Sequence, residues 1–305
     1  MKLSQQLLGT TFQNPVMLAS GTCGYGAELD EIFDIDKLGG LSVKAVTAEP
    51  REGNAAPRVA EFHAGMLNSV GLANVGLEAF RRDKLPWLRD RLRRARVFVN
   101  VAGRTAEEFG ELVAALDGDE GFAAFELNVS CPNVKEGGAI FCSREDLLAE
   151  AVRSARRATR RPLVVKLAPN VPDIGAMAAV AVAEGADALT LVNTAPGLLF
   201  DVHTRTPVLG AGSGGTSGPG LLPIGVHAVW QARRRVDVPL IGAGGIRSGE
   251  DAVQYLLAGA SLVQIGTASF ADPRAGIRVL QQLERYGDVA GIADLSELIG
   301  AGRVG

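Results

Sequence analysis

The chain has 305 residues, is 47% hydrophobic, and carries 31 basic against 34 acidic residues, a net charge of −3. So small a net charge provides no general attraction for nucleic acid or an anionic membrane, and we expect neither as a partner. Its three cysteines are too few for a disulfide framework, and no His/Cys cluster has zinc-site spacing, which favours a reducing cytoplasm and no metal.

Short runs rich in Val, Ile, Leu and Ala recur along the chain, and most are followed by a longer segment of helical periodicity. Uninterrupted apolar runs are typical of strands buried on both faces of a parallel sheet. The predicted strands are 15–19, 41–46, 96–101, 122–129, 163–167, 188–192, 238–241 and 262–265. The predicted helices are 105–116, 144–160, 174–184, 223–235, 249–258 and 273–286. Eight strands in this alternation predict one α/β domain, a (β/α)8 TIM barrel over residues 1–305.

Two long segments, 49–73 and 195–219, do not fit the repeat and are rich in Gly, Pro, Ser or Thr. We interpret them as long loops. Loops of that length in a compact domain are usually functional or mobile.

A polar cluster that contains Cys131 follows the predicted fourth strand, with Asn128 and Asn133 on either side. Active residues of such barrels sit at the carboxyl ends of strands, where a thiolate at Cys131 could act as a base. A buried structural cysteine is the alternative interpretation. We assign Cys23 and Cys142 to ordinary packing.

Two lysines lie in apolar strand surroundings: Lys44 at the end of the second strand and Lys166 within the fifth. A lysine in a barrel strand is costly unless it meets an anion or a dipole, which favours ligand contacts. Extension of each side chain to the barrel rim is the alternative.

Glycine-rich groups fall at 214–218, 242–245 and 266–267, near the last strands. Barrels commonly bind phosphate with the loops after strands seven and eight, because glycines let backbone N–H groups approach the ligand. These groups therefore predict a phosphorylated ligand, although any single glycine could be a simple turn.

Amides are also frequent at predicted strand ends. A mouth rich in neutral donors and acceptors would suit a flat ligand with several carbonyl and N–H groups. The residues concerned are Asn68, Asn100, Asn128, Asn133 and Asn193. The histidines have no spacing that suggests a metal site or a triad.

The segment NVSCPNVKEGG at 128–138 closely resembles class 1 dihydroorotate dehydrogenases, and the resemblance extends through nearly the whole chain. Further matching segments are ASGTCGYG from Ala19, GMLNSVGLANVG from Gly65, LVNTAPG from Leu191 and GAGGI from Gly242. The NVKEGG motif and the 201–220 segment look more like the NAD-linked 1B branch than the fumarate-using 1A branch.

The resemblance implies FMN in the barrel mouth. The residues that it places near the ring or ribityl chain are Ser20, Lys44, Ala45, Asn100, Asn128, Lys166 and Val192, and those near the phosphate are Gly218, Gly244, Gly245, Gly266 and Thr267. The implied substrate contacts are Lys44, Asn68, Ser69, Val70, Gly71, Leu72, Asn128, Asn133, Asn193 and Thr194.

The implied reaction oxidises (S)-dihydroorotate to orotate in pyrimidine (UMP) biosynthesis. Cys131 would remove the C5 proton while hydride passes from C6 to flavin N5. Lys44, counted with Cys131 as catalytic, would meet the substrate carboxylate, and Lys166 would stabilise negative charge on the reduced ring.

The 1B resemblance also implies partners: a homodimer of barrels and an electron-transfer subunit with FAD and a 2Fe–2S cluster, forming a heterotetramer that reduces NAD⁺. The chain departs from the family pattern at Leu222 and His227, where members commonly have Lys and Arg. We expect both positions to lie on a helix away from the chemistry.

Four alternatives to this function stay open at the level of the sequence. They are a fumarate-using 1A-like enzyme, another FMN barrel acting on a dihydropyrimidine, a phosphate-binding lyase or isomerase without redox chemistry, and a barrel without catalytic activity.

Overall fold

The computed structural model describes residues 1–130 and 141–303. Its strands, in chain order, are β1 (Gln5–Leu7), β2 (Thr10–Phe12), β3 (Val16–Leu18), β4 (Gly40–Ser42), β5 (Val59–Phe62), β6 (Gly65–Asn68), β7 (Arg96–Val101), β8 (Ala124–Leu127), β9 (Leu163–Leu167), β10 (Ala188–Leu191), β11 (Ala195–Gly197), β12 (Gly214–Ser217), β13 (Leu240–Ala243) and β14 (Leu262–Ile265).

The helices are α1 (Ala27–Asp30), α2 (Leu77–Ala79), α3 (Leu85–Arg91), α4 (Ala106–Asp117), α5 (Glu145–Ala158), α6 (Ile174–Ala183), α7 (Leu222–Arg233), α8 (Gly249–Ala258), α9 (Ala268–Ala271) and α10 (Ala275–Ala290). A π turn (Phe80–Lys84) joins α2 to α3, and short 3₁₀ turns are Ile35–Lys37, Phe141–Ser143, Pro219–Leu221 and Leu295–Glu297. None of the described helices combines the length and apolar character needed to cross a membrane.

The eight predicted strands all form and close a parallel barrel in the order β3-β4-β7-β8-β9-β10-β13-β14, with β14 pairing back to β3. The barrel prediction is therefore confirmed. Boundaries differ by a few residues: β4 ends at Ser42 rather than at residue 46, and β13 begins two residues later than predicted. Lys44 consequently follows its strand instead of ending it.

Side chains inside the barrel lie in layers because alternate residues of a strand face the same way. The lowest layer is apolar, and Phe12 of the β1–β2 hairpin closes it, packing edge-to-face on Phe98 at 6.1 Å between ring centroids. This layer consists of Met17, Phe98, Ala124, Val164, Ala188, Ile241 and Leu262. Two residues further along five of these strands, the next layer is polar.

The two segments that we interpreted as long loops contain strands, so that interpretation was incomplete. Strands β5 and β6 from the first segment and β11 and β12 from the second form one antiparallel sheet in the order β11-β12-β6-β5. Asn68 pairs with Gly215 across the two segments. Glycine-rich strands such as β12 have little β propensity of their own, which is why periodicity did not reveal them.

Candidate active site

Two adjoining cavities occupy the barrel mouth, where the carboxyl ends of the strands meet the four-stranded sheet. Their volumes are about 350 and 430 Å³, and Ser20, Lys166, Asn193, Thr194 and Thr267 line both. All the described residues that we predicted as site residues line one or both cavities. Chain segments more than 200 residues apart in sequence therefore meet at a single site.

The first cavity is lined by the lysine and amide residues that we predicted, which form the lysine-and-amide half of the site. Lys44, Ala45, Asn100 and Asn128 come from the barrel strands or follow them directly, whereas residues 68–72 come from the end of β6 and the turn after it. This cavity is therefore lined by one ammonium from Lys44, a second from Lys166, and several neutral amides.

Hydrogen bonds fix the amides of this half. Asn193 Nδ2 donates to Ser130 Oγ at 2.8 Å, Asn193 Oδ1 accepts from the backbone N–H of Thr194 at 2.8 Å, and Ser130 Oγ lies 3.4 Å from Asn128 Oδ1. Asn68 Nδ2 donates to the Gly215 carbonyl at 3.1 Å. The amides are thus oriented by the protein before any ligand binds.

The second cavity is lined by the glycine residues that we predicted, which form the glycine half of the site. Gly218, Gly244, Gly245 and Gly266 line it together with Val192. Gly245 adopts φ +75°, and a side chain there would stand 2.4 Å from the backbone nitrogen of Leu222, so the backbone itself requires glycine. Leu222 therefore adjoins this loop, nearer to the site than we expected, whereas His227 lies farther along α7, stacked on Trp230.

Tyr255 on α8 supports the 242–245 loop and was not among the residues predicted from the sequence. Its buried hydroxyl lies 3.0 Å from the carbonyl oxygen of Ala243 and 2.7 Å from that of Gly244, and the two oxygens share its single proton. Burial raises the pKa of this phenol, so it stays a donor at neutral pH. A tyrosine within an otherwise apolar helix face was the available signal.

Glu126 on β8 is a second residue that was not predicted from the sequence. It is completely buried inside the barrel below the mouth, and it accepts hydrogen bonds from four side chains on four other strands. A single carboxylate within the apolar run of 122–129 was the available signal, because such a residue is rarely buried unless it is paired.

The predicted residues Cys131 and Asn133 lie outside the described residues. The other two cysteines are buried and free, as packing residues would be. Burial raises the pKa of the Cys23 thiol to about 12 and that of Cys142 to about 11. Neither thiol is suited to ionise near neutral pH.

A larger open cavity of about 900 Å³ lies at the opposite end of the barrel, near the amino ends of the strands. Thr10, Arg96, Asp187 and Pro239 are among the residues that line it. We assign the site to the mouth despite its smaller cavities, because catalysis in (β/α)8 barrels takes place at the carboxyl ends of the strands. In the described part of the chain, no group of three or more His, Cys, Asp or Glu side chains is arranged to hold a metal ion.

Comparisons with known proteins agree with this geometry. Residues 2–286 match the family model for dihydroorotate dehydrogenase. A relative from Solibacter usitatus, "Putative dihydroorotate dehydrogenase A (fumarate)", is 49% identical over 98% of this chain and 98% of its own. A relative from Geobacter sp. (strain M21), "Dihydroorotate dehydrogenase B (NAD(+)), catalytic subunit", is 46% identical over 98% and 97%.

A solved structure has a similar fold. The crystal structure of DHODH in complex with ferulenol from Eimeria tenella superposes with a TM-score of 0.82, at 25% identity, covering 98% of this chain and 88% of that one. With a family match over nearly the whole length and relatives well above 30% identity, the chain belongs to the dihydroorotate dehydrogenase family.

Proposed function

We propose that this chain oxidises (S)-dihydroorotate to orotate at the barrel mouth, as the FMN-dependent step of de novo pyrimidine biosynthesis. The observation that carries the proposal is that two predicted sets of residues, the lysines and amides and the glycines, lie together at the barrel mouth. The lysine-and-amide half suits a planar carboxylated pyrimidine, and the glycine half adjoining it suits a phosphorylated cofactor.

The residues of the mouth fit FMN. Gly266 has no left-handed φ, and a side chain there would meet only ordinary contacts, 3.6 Å from Ala19 and 3.8 Å from Thr22. Nothing among the described residues requires glycine at this position, so the absence of a side chain leaves room for a ligand. Gly218, Gly244, Gly245, Gly266 and Thr267 would hold the phosphate with backbone N–H groups and a hydroxyl.

The ring and ribityl chain of FMN would lie beside Ser20, Lys44, Ala45, Asn100, Asn128, Lys166 and Val192. When bound, FMN accepts the hydride that dihydroorotate loses. Lys166 would supply positive charge to the mouth, where negative charge accumulates on reduction.

Substrate recognition would combine one cation with neutral amides. Lys44 would bind the carboxylate, and the ring carbonyl and N–H groups would pair with Asn68, Asn128, Asn133, Asn193 and Thr194 and with the backbone of 69–72. Neutral partners suit this task, because additional buried charges would be costly. A substrate without a carboxylate would forgo the contact with Lys44, which disfavours a plain dihydropyrimidine.

Cys131 would act as the base that removes the C5 proton. It follows Ser130 directly in the chain, and Ser130 lines the first cavity and accepts a hydrogen bond from Asn193. The buried Cys23 and Cys142, with their raised pKa values, are poor candidates for this role.

The electron acceptor would be NAD⁺, reached through a partner subunit with FAD and a 2Fe–2S cluster. The relative from Geobacter, named an NAD(+) catalytic subunit, and the NVKEGG motif support this branch, whereas the name of the Solibacter relative supports fumarate. Measuring turnover with fumarate alone separates the two acceptors. We also propose a homodimer and a cytoplasmic location.

The experiment that tests the function is an anaerobic visible spectrum of the purified protein before and after addition of dihydroorotate. We expect a yellow protein whose flavin band bleaches promptly. A yellow protein that dihydroorotate leaves oxidised would indicate another flavin barrel. A colourless protein that added FMN does not reconstitute would exclude the oxidoreductase.

A further inference from the structure

Glu126 is a buried acid for which the proposed reaction has no use. It lies inside the barrel, one layer above the apolar residues that Phe12 closes, and it has no exposed surface. A carboxylate in such a place is strongly disfavoured unless hydrogen bonds and a counter-charge offset the loss of water.

Four donors surround this carboxylate. Ser42 Oγ and Asn100 Nδ2 donate to Oε1, each at 2.7 Å, while Thr190 Oγ1 at 2.8 Å and Gln264 Nε2 at 2.9 Å donate to Oε2. The donors come from β4, β7, β10 and β14, so one side chain on β8 connects five of the barrel strands.

An ionised carboxylate only accepts hydrogen bonds, and this fixes the orientation of the two amides. Asn100 and Gln264 must both turn their NH₂ groups towards Glu126. Their carbonyl oxygens, Asn100 Oδ1 and Gln264 Oε1, are buried and have no hydrogen-bond partner among the described residues. Asn100 lines the first cavity and Gln264 the second, so each amide can offer a free acceptor to a ligand with N–H groups.

Glu126 also interacts electrostatically with the mouth, through Lys166. Burial by itself would raise the pKa of Glu126, but the positive charge of Lys166 and the hydrogen bonds from Ser42, Gln264 and Asn100 outweigh it and lower the pKa. Glu126 is therefore ionised at neutral pH. Lys166, whose charge it balances, lines both cavities.

We propose that Glu126 is a positioning residue that sets the reduction potential of the bound flavin. Its fixed negative charge opposes electron uptake at the mouth, and its hydrogen bonds hold Asn100 and Gln264 with their acceptors free for the flavin. The inference rests on the proposed function in that FMN must bind at this site.

The test is the midpoint potential of FMN in Glu126→Gln, measured anaerobically against a reference dye, together with the dissociation constant of FMN. Removal of the negative charge should favour reduced flavin at least tenfold, about 30 mV for a two-electron couple. The dissociation constant should rise, since glutamine no longer forces both amides into one orientation.

Two further variants separate charge from packing. Thr190→Val removes one hydrogen bond but keeps the carboxylate, and Glu126→Asp keeps the charge on a shorter side chain. Both should stay within about threefold of the wild-type reduction equilibrium. A wild-type potential in FMN-loaded Glu126→Gln, or an equal shift in Thr190→Val, would overturn the inference while leaving the proposed function intact.

A failure of Glu126→Gln to fold does not remove the test. Infrared difference spectra of the wild type and Thr190→Val between oxidised and reduced flavin should contain a carboxylate band that shifts in the variant. A protonated carboxyl band, or no redox-sensitive band that depends on Thr190, would overturn the inference. Wild-type protein that does not bind FMN would instead overturn the proposed function.

Discussion

At the scale of single residues, the mouth combines a few charged side chains with neutral polar ones. Among the described residues, Lys44 and Lys166 are the ammonium groups lining its first cavity, and the amides between them carry no charge. This division suits a ligand that has one carboxylate and several neutral ring groups, because each buried charge then meets an opposite charge. Within the described chain, neither buried thiol has a pKa suited to proton transfer, and Cys131 is the base that we propose.

The first prediction concerns that base. Cys131→Ala should retain FMN and slow flavin reduction by dihydroorotate by roughly 10²–10⁴-fold, the usual contribution of a positioned base. Anaerobic stopped-flow absorbance measures the rate. Cys142→Ala, which removes a buried thiol, is the matched control and should stay within a few-fold of wild type. Normal reduction by Cys131→Ala would remove that residue as the base.

At the scale of elements, single buried side chains hold loops in place at both ends of the barrel. Tyr255 binds two carbonyl oxygens of the loop after β13. Asp36 holds the segment that leads into β7. Its carboxylate accepts hydrogen bonds from the backbone N–H groups of Arg93 at 3.0 Å, Arg94 at 2.8 Å and Ala95 at 2.8 Å. Because both side chains bind backbone groups, replacing either of them should affect the position of the whole loop that it holds.

Tyr255→Phe should weaken FMN binding without removing it. The two loop carbonyls share the single hydroxyl proton, and loss of this hydrogen bond, worth about 1 kcal/mol, should raise the FMN dissociation constant roughly fivefold. Fluorescence titration of the apoprotein with FMN provides the measurement. Tyr286→Phe on α10 serves as the control, and an equal effect of the two variants would contradict a specific role for Tyr255.

Asp36→Asn should destabilise the fold in a pH-dependent manner. Burial opposes ionisation of Asp36, but the three backbone donors and Arg94 outweigh it and lower the pKa. A lowered folded-state pKa gives stability that is complete above the unfolded-state value, about 3.9, and is lost as the pH falls towards the folded-state value.

We therefore expect Asp36→Asn to cost about 2 kcal/mol in free energy of unfolding at pH 7, and the difference from wild type to shrink below about pH 4. Urea denaturation across this pH range measures it. The exposed Asp237 supplies the control Asp237→Asn, whose effect should be small at every pH. A difference for Asp36→Asn that did not change with pH would argue against ionised Asp36 as the cause.

At the scale of the whole molecule, an apolar surface beside the four-stranded sheet remains exposed. Leu198, Leu199, Phe200 and Val202 follow β11, and Phe200 and Val202 are 57% and 79% exposed. Contiguous exposed apolar side chains commonly mark a protein interface. This surface is our candidate for the proposed homodimer contact.

Phe200→Asp should accordingly shift the protein from dimer to monomer, because an isologous interface would place the new charge twice within one contact. Light scattering after size-exclusion chromatography gives the mass. Val289→Asp, at an apolar position on α10 that is 82% exposed, is the matched control and should leave the mass unchanged. A dimeric Phe200→Asp, or a monomeric wild type, would exclude this surface as the dimer contact.

The sequence by itself determined the barrel and most of the residues of the mouth. Apolar runs such as 163–167 form strands because both of their faces are buried, and this requirement is visible in composition alone. The lysines, asparagines and glycines at strand ends could be selected because (β/α)8 barrels place their sites there. The motif at 128–138 then indicated the family, which the comparisons confirmed.

Only the tertiary structure decided which distant groups meet. The sheet of β5, β6, β11 and β12 depends on pairing between segments about 150 residues apart, and local propensity carries no information on such pairing. Glu126 and Tyr255 were missed for a related reason. A lone carboxylate or phenol in an apolar run reveals its role only when its hydrogen-bond partners, on other strands and loops, are known.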